Sequence, residues 1–251
     1  MENTEKTICV PDGTARTNEP VKGIIFDYGG TLDTRGDHWS HIIRQGWDAA
    51  GVDAPDAVFR DCYVYAEREL ARVRRILPND DFYALLLKKM RIEFQELERR
   101  GGIAPDQIET AAAAAAKYCD DYARECIKEA IPTLKALSEK YPMVLVSNFY
   151  GNVDSVLRAF EVREYFHGII ESAVVGVRKP DPRIFMLGCV ALDLDPKNVL
   201  VVGDSLRKDI LPARQIGCQT AWIKGRGWTA DEDLATDPAL IASLAALHNL
   251  L

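Results

Sequence analysis

Hydrophobic and polar positions follow two different patterns along this chain. The stretch "GIIFDY" at residues 23–28 has four consecutive apolar or aromatic positions without polar alternation, which is typical of a strand covered on both faces. From about residue 38 to residue 129 the spacing is helical throughout, in four segments separated by Gly, Pro and Asp at 51–55, 78–80 and 101–105. From residue 131 onward, helical segments alternate with apolar runs such as "PMVLVSN" and "NVLVVGD". This alternation predicts successive βαβ units.

These patterns predict an α/β fold, a Rossmann-like doubly wound parallel sheet with an all-helical module inserted after its first strand. The expected division is an N-terminal extension at 1–20, an α/β core formed by 21–35 and 130–251, and a helical cap at 36–129. Within the extension, "TICV" predicts a short strand. The amphipathic tail from Thr229 to Leu251 predicts a terminal helix.

Composition narrows the class of partner. The 251 residues carry a formal net charge of −7, which argues against nonspecific binding to nucleic acid or to an anionic membrane and favours a small-molecule ligand. The polar N-terminus lacks the apolar stretch of a signal peptide, and no later run approaches membrane-spanning length. Six scattered cysteines without a CxxC pair predict buried thiols. A cytoplasmic location is expected.

Polar residues directly follow three of the apolar runs. Asp27 follows "GIIF", Ser147 and Asn148 follow "MVLV", and Asp204 follows "NVLVVG". The carboxyl ends of parallel strands lie at one edge of a sheet, where ligands of open α/β folds bind, so one pocket is expected to collect these groups.

The chemistry of such a pocket is that of a phosphate site. Asp27, Asp204 and Asp209 supply the carboxylate oxygens that suit Mg²⁺, which completes its coordination with phosphate and water. Ser147, the N–H groups of a glycine-rich turn, and Lys179 supply hydrogen-bond donors and a positive charge for the phosphate oxygens.

These residues resemble the haloacid dehalogenase-like (HAD) hydrolases, over roughly residues 23–225. The family's first motif, D-x-D-x-T, is matched by "DYGGT" at 27–31 except at its third position. The second motif is matched by Ser147 in "VLVSN", the third by Lys179 in "RKPDPRIF", and the fourth by "GDSLRKD", which contains Asp204 and Asp209.

The resemblance implies that Asp27 is a nucleophile that forms an aspartyl-phosphate, and that the helical module closes over a small phosphorylated substrate. It also implies a Mg²⁺ ion bound by the Asp27 carboxylate, the Gly29 carbonyl and Asp204, with Asp209 supporting the site. Ser147 and Lys179 join Asp27 as catalytic residues. The residues expected to hold the phosphate are Gly30, Thr31, Ser147, Asn148 and Lys179.

The first motif departs from the family at Gly29. In the family's phosphatases this position is a second aspartate, which protonates the leaving oxygen and then activates water. General acid–base help of this kind contributes about 10² to 10⁴ in rate. Metal binding is less affected because the position contributes only its backbone carbonyl.

Four hypotheses accommodate the glycine. A substitute acid–base group comes from Asp33, His38 or His41, although each of these also suits a packing role, and Asp37 suits the N-cap of the following helix. Alternatively, the substrate is an acyl phosphate or another ester with a stable leaving group.

The third hypothesis assigns a different reaction to the chain, and the fourth assigns no reaction. In a phosphonatase-like enzyme, a lysine of the cap forms a Schiff base, although "LLLKKM" at 85–90 is also consistent with both lysines facing solvent. The candidate lysines are Lys88, Lys89, Lys117 and Lys128. Metal-free dehalogenase chemistry fits less well. In the fourth hypothesis the chain is catalytically degenerate and only binds phosphate and Mg²⁺.

Overall fold

A six-stranded, all-parallel sheet forms the centre of the molecule in the computed structural model, which describes residues 19–251. The strand order is β3-β2-β1-β4-β5-β6. The strands are β1 Gly23–Phe26, β2 Met143–Ser147, β3 Gly168–Glu171, β4 Val199–Gly203, β5 Gln219–Ile223 and β6 Leu240–Ile241. This topology confirms the predicted α/β class with a doubly wound parallel sheet.

The central strands are buried along their whole length, which explains why their sequences do not alternate. Every residue of β1, β2, β4 and β5 is buried. Phe26 at the end of β1 pairs with Leu145 of β2 and Val202 of β4. The three strands therefore end at the same edge of the sheet.

Four helices lie between β1 and β2 and form what we call the helical insert. They are α1 Trp39–Ala49, α2 Asp56–Arg72, α3 Phe82–Arg99 and α4 Ile108–Ser138. Asp81 caps α3 because its Oδ1 accepts the Ala84 N–H at 2.8 Å. Helix α4 is 31 residues long and runs without interruption through residues 129 and 130, where the sequence pattern placed a domain boundary.

Five shorter helices connect the later strands, and they cover both faces of the sheet. They are α5 Val153–Ala159, α6 Ser172–Val175, α7 Arg183–Leu192, α8 Leu211–Gln215 and α9 Ala230–Leu234. A π-helical turn, Leu206–Ile210, precedes α8. Among residues 19–251, no helix is long and apolar enough to cross a membrane.

The tail does not form the expected terminal helix, so that prediction is wrong. It contains the short helix α9, the edge strand β6 and a 3₁₀ helix at Leu244–Asn249. The Asp237 carboxylate accepts hydrogen bonds from the Arg214 guanidinium and from the Ala239 N–H. Pro238 follows Asp237 and interrupts a regular helix, and β6 pairs with the edge of β5 instead.

Asp37 is not the N-cap of α1, which corrects a second expectation. His38 occupies the cap position, and its Nδ1 accepts the Ser40 N–H at 3.3 Å. The Asp37 carboxylate instead accepts hydrogen bonds from the backbone and side chain of Arg226, because the loop after β5 passes directly beside it.

Two predictions concern thiols and the N-terminus. The cysteines between residues 19 and 251 are free and buried, which confirms the prediction for those positions. The strand predicted at "TICV" lies outside the described residues.

Candidate active site

Three adjacent strands deliver the polar residues predicted to share a pocket. Asp27 follows β1, Ser147 is the last residue of β2, and Asp204 follows β4. Because β1 lies between β2 and β4 in the sheet, Asp27 is at the centre. Asp27 and Ser147 are only 5% and 2% exposed, whereas Asp204 is half-buried.

Asp27, Asp204 and Asp209 form a compact acidic cluster. One carboxylate oxygen from each lies within 4.8 Å of the others. The Trp222 indole N–H donates to the Asp204 carbonyl at 2.6 Å, and the Ser205 N–H donates to Asp209 Oδ2 at 3.0 Å. Partial loss of hydration at the Asp204 carboxyl, together with the charges of Asp209 and Asp27, raises the pKa of Asp204 well above the usual range.

Lys179 places its ammonium group between two members of this cluster. Its Nζ lies 2.6 Å from Asp27 Oδ1 and 2.7 Å from Asp209 Oδ1. Burial disfavours the charged amine, but the two carboxylates outweigh that effect and raise the pKa of Lys179. The Asn148 side chain accepts the Lys179 N–H at 2.9 Å and donates to the Lys179 carbonyl at 3.1 Å. Asn148 therefore positions Lys179 through its main chain.

The turn after β1 brings Thr31 and Gly30 to the same cluster. Thr31 Oγ1 lies 3.4 Å from Asp27 Oδ2 and 3.3 Å from Asp204 Oδ1. Gly30 has a φ of +98°, and a Cβ atom at this position would lie 2.4 Å from Asp204 Cγ. Only glycine combines this backbone conformation with such a close approach.

Gly29 faces a tryptophan that sequence reasoning did not single out. A Cβ atom built at Gly29 would be 3.9 Å from both Cδ1 and Nε1 of Trp39, an ordinary van der Waals contact. The Trp39 indole N–H donates to Asp33 Oδ2 at 3.0 Å. The space next to the missing carboxylate is thus bordered by an indole ring.

The Asp33 carboxyl group is hydrogen-bonded to Gly30 and Trp39 and not to Asp27. Its Oδ1 accepts the Gly30 N–H at 2.7 Å, its Oδ2 accepts the Trp39 N–H, and its side chain is 0% exposed. Burial raises the pKa of Asp33 to about 8, against the opposing effect of these two hydrogen bonds.

The two candidate histidines are also engaged elsewhere. His41 Nε2 contacts the Gly227 carbonyl at 2.8 Å, and His38 Nδ1 lies 2.9 Å from Ser40 Oγ. Burial, with the nearby charges of Lys208 and Lys89, lowers the pKa of His38 to about 3, so its imidazole is neutral at neutral pH. Among the described contacts, neither histidine is hydrogen-bonded to Asp27.

A second group of titratable side chains lies between the insert and the sheet edge. Lys89 of α3 is buried and forms an ion pair with Glu67 of α2, so it does not face solvent as the sequence pattern had allowed. The Tyr150 hydroxyl, from the loop after β2, lies 3.2 Å from both Glu67 oxygens. Local sequence gives no signal for this group, because charged residues on adjacent helices are usually solvent-exposed.

The donor set fits a hard divalent cation. When ionised, the three clustered carboxylates exceed the Lys179 ammonium by two negative charges, and all of their ligand atoms are oxygens. A divalent ion would offset this excess and lower the raised pKa of Asp204.

Comparison with known proteins agrees with this geometry. Residues 21–217 match the family model described as haloacid dehalogenase-like hydrolase. The chain is 33% identical over 91 residues to a glyceraldehyde 3-phosphate phosphatase from Pyrococcus abyssi, covering 36% of this chain and 38% of the relative. It is 32% identical over 148 residues to a protein of the same name from Methanopyrus kandleri, covering 57% and 63%. The chain thus spans less than two thirds of the length of these relatives.

Solved structures show the same fold. The Bacillus subtilis HAD-hydrolase YfnB, solved with bound magnesium, superposes with a TM-score of 0.57 at 18% identity, covering 93% of this chain and 99% of YfnB. The family match begins just before β1 and ends just before β5. It therefore includes all four motif segments, whose residues meet at one site. The chain therefore belongs to the haloacid dehalogenase-like hydrolases.

Proposed function

We propose that the protein is a Mg²⁺-dependent phosphatase that transfers a phosphoryl group from a small phosphorylated metabolite to Asp27 and then to water. The observation that carries the proposal is the contact of Lys179 with both Asp27 and Asp209 inside the three-carboxylate cluster. The phosphatase relatives named above support the substrate class. We further propose that residues 36–129 act as the cap over this site.

In the proposed first step, an Asp27 carboxylate oxygen attacks phosphorus while the bond from phosphorus to the leaving oxygen breaks. Lys179 contacts the Asp27 carboxylate and offers its ammonium to a phosphate oxygen, with the Ser147 hydroxyl as a further donor. The backbone N–H groups of Gly30 and Thr31, which the resemblance assigns to the phosphate, are bonded to Asp33 Oδ1 and to the Tyr28 carbonyl. In the second step, water attacks phosphorus of the aspartyl-phosphate, which releases inorganic phosphate and restores the carboxylate. Bound Mg²⁺, held by Asp27, the Gly29 carbonyl and Asp204 with Asp209 in support, would neutralise phosphate charge.

Gly29 sets the expected substrate range. Asp33, His38 and His41 all have other hydrogen-bond partners, so we propose that none of them fully replaces the second aspartate. Without an acid to protonate the leaving oxygen, the rate depends strongly on the stability of the leaving group. We expect acetyl phosphate to be hydrolysed faster than alkyl phosphates.

The test compares wild type with Asp27→Asn, Gly29→Asp and Gly29→Ala, using acetyl phosphate and an alkyl phosphate with Mg²⁺ or with EDTA. Wild-type hydrolysis of acetyl phosphate should disappear in Asp27→Asn and in EDTA. Gly29→Asp should raise the rate on the alkyl phosphate by about 10² or more. A side chain fits there because the nearest contacts are at 3.9 Å. Gly29→Ala is the matched control, since it adds the Cβ without the carboxylate and should leave the rate unchanged.

Two other outcomes would replace the proposal. Inactivity of wild type on every substrate, with activity only in Gly29→Asp, would identify a degenerate phosphate-binding protein. Cleavage of phosphonoacetaldehyde that is blocked by borohydride would identify a phosphonatase. The ion pairs of Lys88 with Asp80, of Lys89 with Glu67 and of Lys117 with Asp121 weigh against the latter, because a paired ammonium is a poor nucleophile.

A further inference from the structure

Helix α2 crosses above the catalytic edge of the sheet. At one point it contacts the loop after β2, where Tyr150 meets Glu67. Seven residues earlier it contacts the loop after β5, where the Arg60 guanidinium lies 3.7 Å from the centre of the Trp228 ring. Because β1 and β4 lie between β2 and β5, the segment from Arg60 to Glu67 passes over the ends of the strands that carry Asp27 and Asp204.

A polar and aromatic group, which we call the roof, is formed by Tyr63 and Glu67 of this segment, Lys89 of α3 and Tyr150 of the loop after β2. Lys89 Nζ pairs with Glu67 Oε1 and lies 4.4 Å from the centre of the Tyr63 ring. The centre of the His38 ring lies 6.1 Å from that of Tyr63, and the next residue, Trp39, borders Gly29, two positions after Asp27. The roof and the catalytic edge are therefore neighbours.

The accessible part of the roof is a hydrogen-bond acceptor. The Glu67 side chain is 37% exposed, whereas that of Lys89 is 5% exposed. The Lys89 ammonium lies behind the Glu67 carboxylate and is already paired with it. Among the described contacts, Glu67 Oε2 accepts only the Tyr150 hydroxyl, so it retains capacity for a further donor.

We propose that Glu67 binds hydroxyl groups of the substrate's leaving group, and that among alkyl phosphates the site binds those of neutral polyols or sugars most tightly. A hydroxyl donates to the carboxylate without adding charge, and the rings of Tyr63 and Tyr150 suit the C–H faces of such a molecule. A second anionic group would meet the exposed Glu67 carboxylate before the enclosed Lys89 ammonium, and a ligand ammonium gains less from a carboxylate that Lys89 already pairs. This inference rests on the proposed function, since it concerns the leaving group of the same reaction.

Binding to Asp27→Asn in the presence of Mg²⁺ tests the inference without turnover. Calorimetry would compare sn-glycerol 3-phosphate with n-propyl phosphate, which has the same chain without the two hydroxyls, and with phosphoglycolate and phosphoethanolamine. Glycerol 3-phosphate should bind most tightly, by about tenfold over propyl phosphate, as expected for hydrogen bonds to a charged group. Adding Glu67→Gln should remove that preference and leave the affinity for propyl phosphate and inorganic phosphate unchanged.

Two variants guard against trivial outcomes. Glu67→Gln with Lys89→Met removes both charges, so no buried ammonium is left unpaired, and it should lose the preference in the same way. Glu109→Gln breaks the exposed Arg91–Glu109 pair of the same insert and should keep the preference. Equal binding of glycerol and propyl phosphates, or a preference for phosphoglycolate or phosphoethanolamine, would overturn the inference alone. Failure of the wild-type protein to bind inorganic phosphate in the presence of Mg²⁺ would overturn the proposed function with it.

Discussion

At the scale of single residues, two neighbouring glycines have opposite roles. Gly29 leaves room for a side chain that the chain does not supply, since its nearest neighbour is Trp39 at 3.9 Å. Gly30 leaves no room, because any Cβ there would collide with the Asp204 carboxylate. A substitution at Gly29 therefore tests chemistry, whereas one at Gly30 tests the geometry of the acidic cluster.

We predict that Gly30→Ala weakens Mg²⁺ binding and phosphatase activity by at least about tenfold, because the new methyl group displaces Asp204 and an alanine at a φ of +98° is strained. Titration of activity and of thermal stability with Mg²⁺ measures the effect. Gly51→Ala is the matched control: its φ is +72°, but nothing lies within 4 Å of the added atom. It should lose about 1 kcal/mol of stability and keep its Mg²⁺ affinity. Equal Mg²⁺ affinity in the two variants would contradict the prediction.

At the scale of elements, α1 and α3 pack around a buried carboxyl group. Glu93 of α3 is 0% exposed, and its Oε2 accepts the Trp47 indole N–H of α1 at 2.8 Å. Its Oε1 has no hydrogen-bond partner among the described residues. Burial raises the pKa of Glu93 to about 7, although Lys89 and the Trp47 hydrogen bond oppose the rise.

This raised pKa predicts a stability that falls as pH rises. Between the usual pKa of 4.5 and about 7, the folded protein retains a proton on Glu93 that the unfolded chain has released. The free energy of unfolding therefore decreases across that window, by up to about 1.4 kcal/mol per pH unit from this group, and is level above it. Glu93→Gln should lack this contribution. Urea unfolding of both proteins from pH 4.5 to pH 8 measures it, and parallel profiles would refute it.

The buried strands and the polar residues after them were predictable, because an uninterrupted apolar run followed by Asp27 or Asp204 reports local burial and local turn chemistry. The ion pair between Lys89 and Glu67 was not, since it depends on how α3 packs on α2 and on a tyrosine from the loop after β2. The role of Asp37 was likewise not predictable. Its partner Arg226 is distant in sequence, and only the folded chain brings Arg226 close enough for Asp37 to pair with it instead of capping α1.

At the scale of the whole molecule, the loop after β5 fastens the insert to the sheet. Arg226 pairs with Asp37 just before α1, and Trp228 packs against Tyr63 and Arg60 of α2. Each of these contacts is partly exposed, so each contributes modestly, about 1 kcal/mol or less. Breaking these contacts alone therefore costs little free energy.

We predict that the double substitution Arg226→Ala and Trp228→Ala increases the open population of the insert about five- to thirtyfold, as expected from the loss of about 1 to 2 kcal/mol. Amide hydrogen exchange in α1 and α2 should accelerate accordingly, while exchange in β1 and β4 stays slow. Arg91→Ala, which breaks an exposed pair within the insert, should not change exchange in α1 and α2. Unchanged exchange in the double variant would show that this loop does not hold the insert.

The length of α4 determines how such an opening takes place. At 1.5 Å per residue, its 31 residues form a rod of about 46 Å that belongs to the insert at one end and leads to β2 at the other. Within it, Pro132 lacks the N–H that would bond to the preceding turn, so the rod is easiest to bend there. We therefore expect the insert and most of α4 to move as one lever in any opening, with the pivot at Pro132 or beyond Ser138, at the edge of the sheet opposite Asp27.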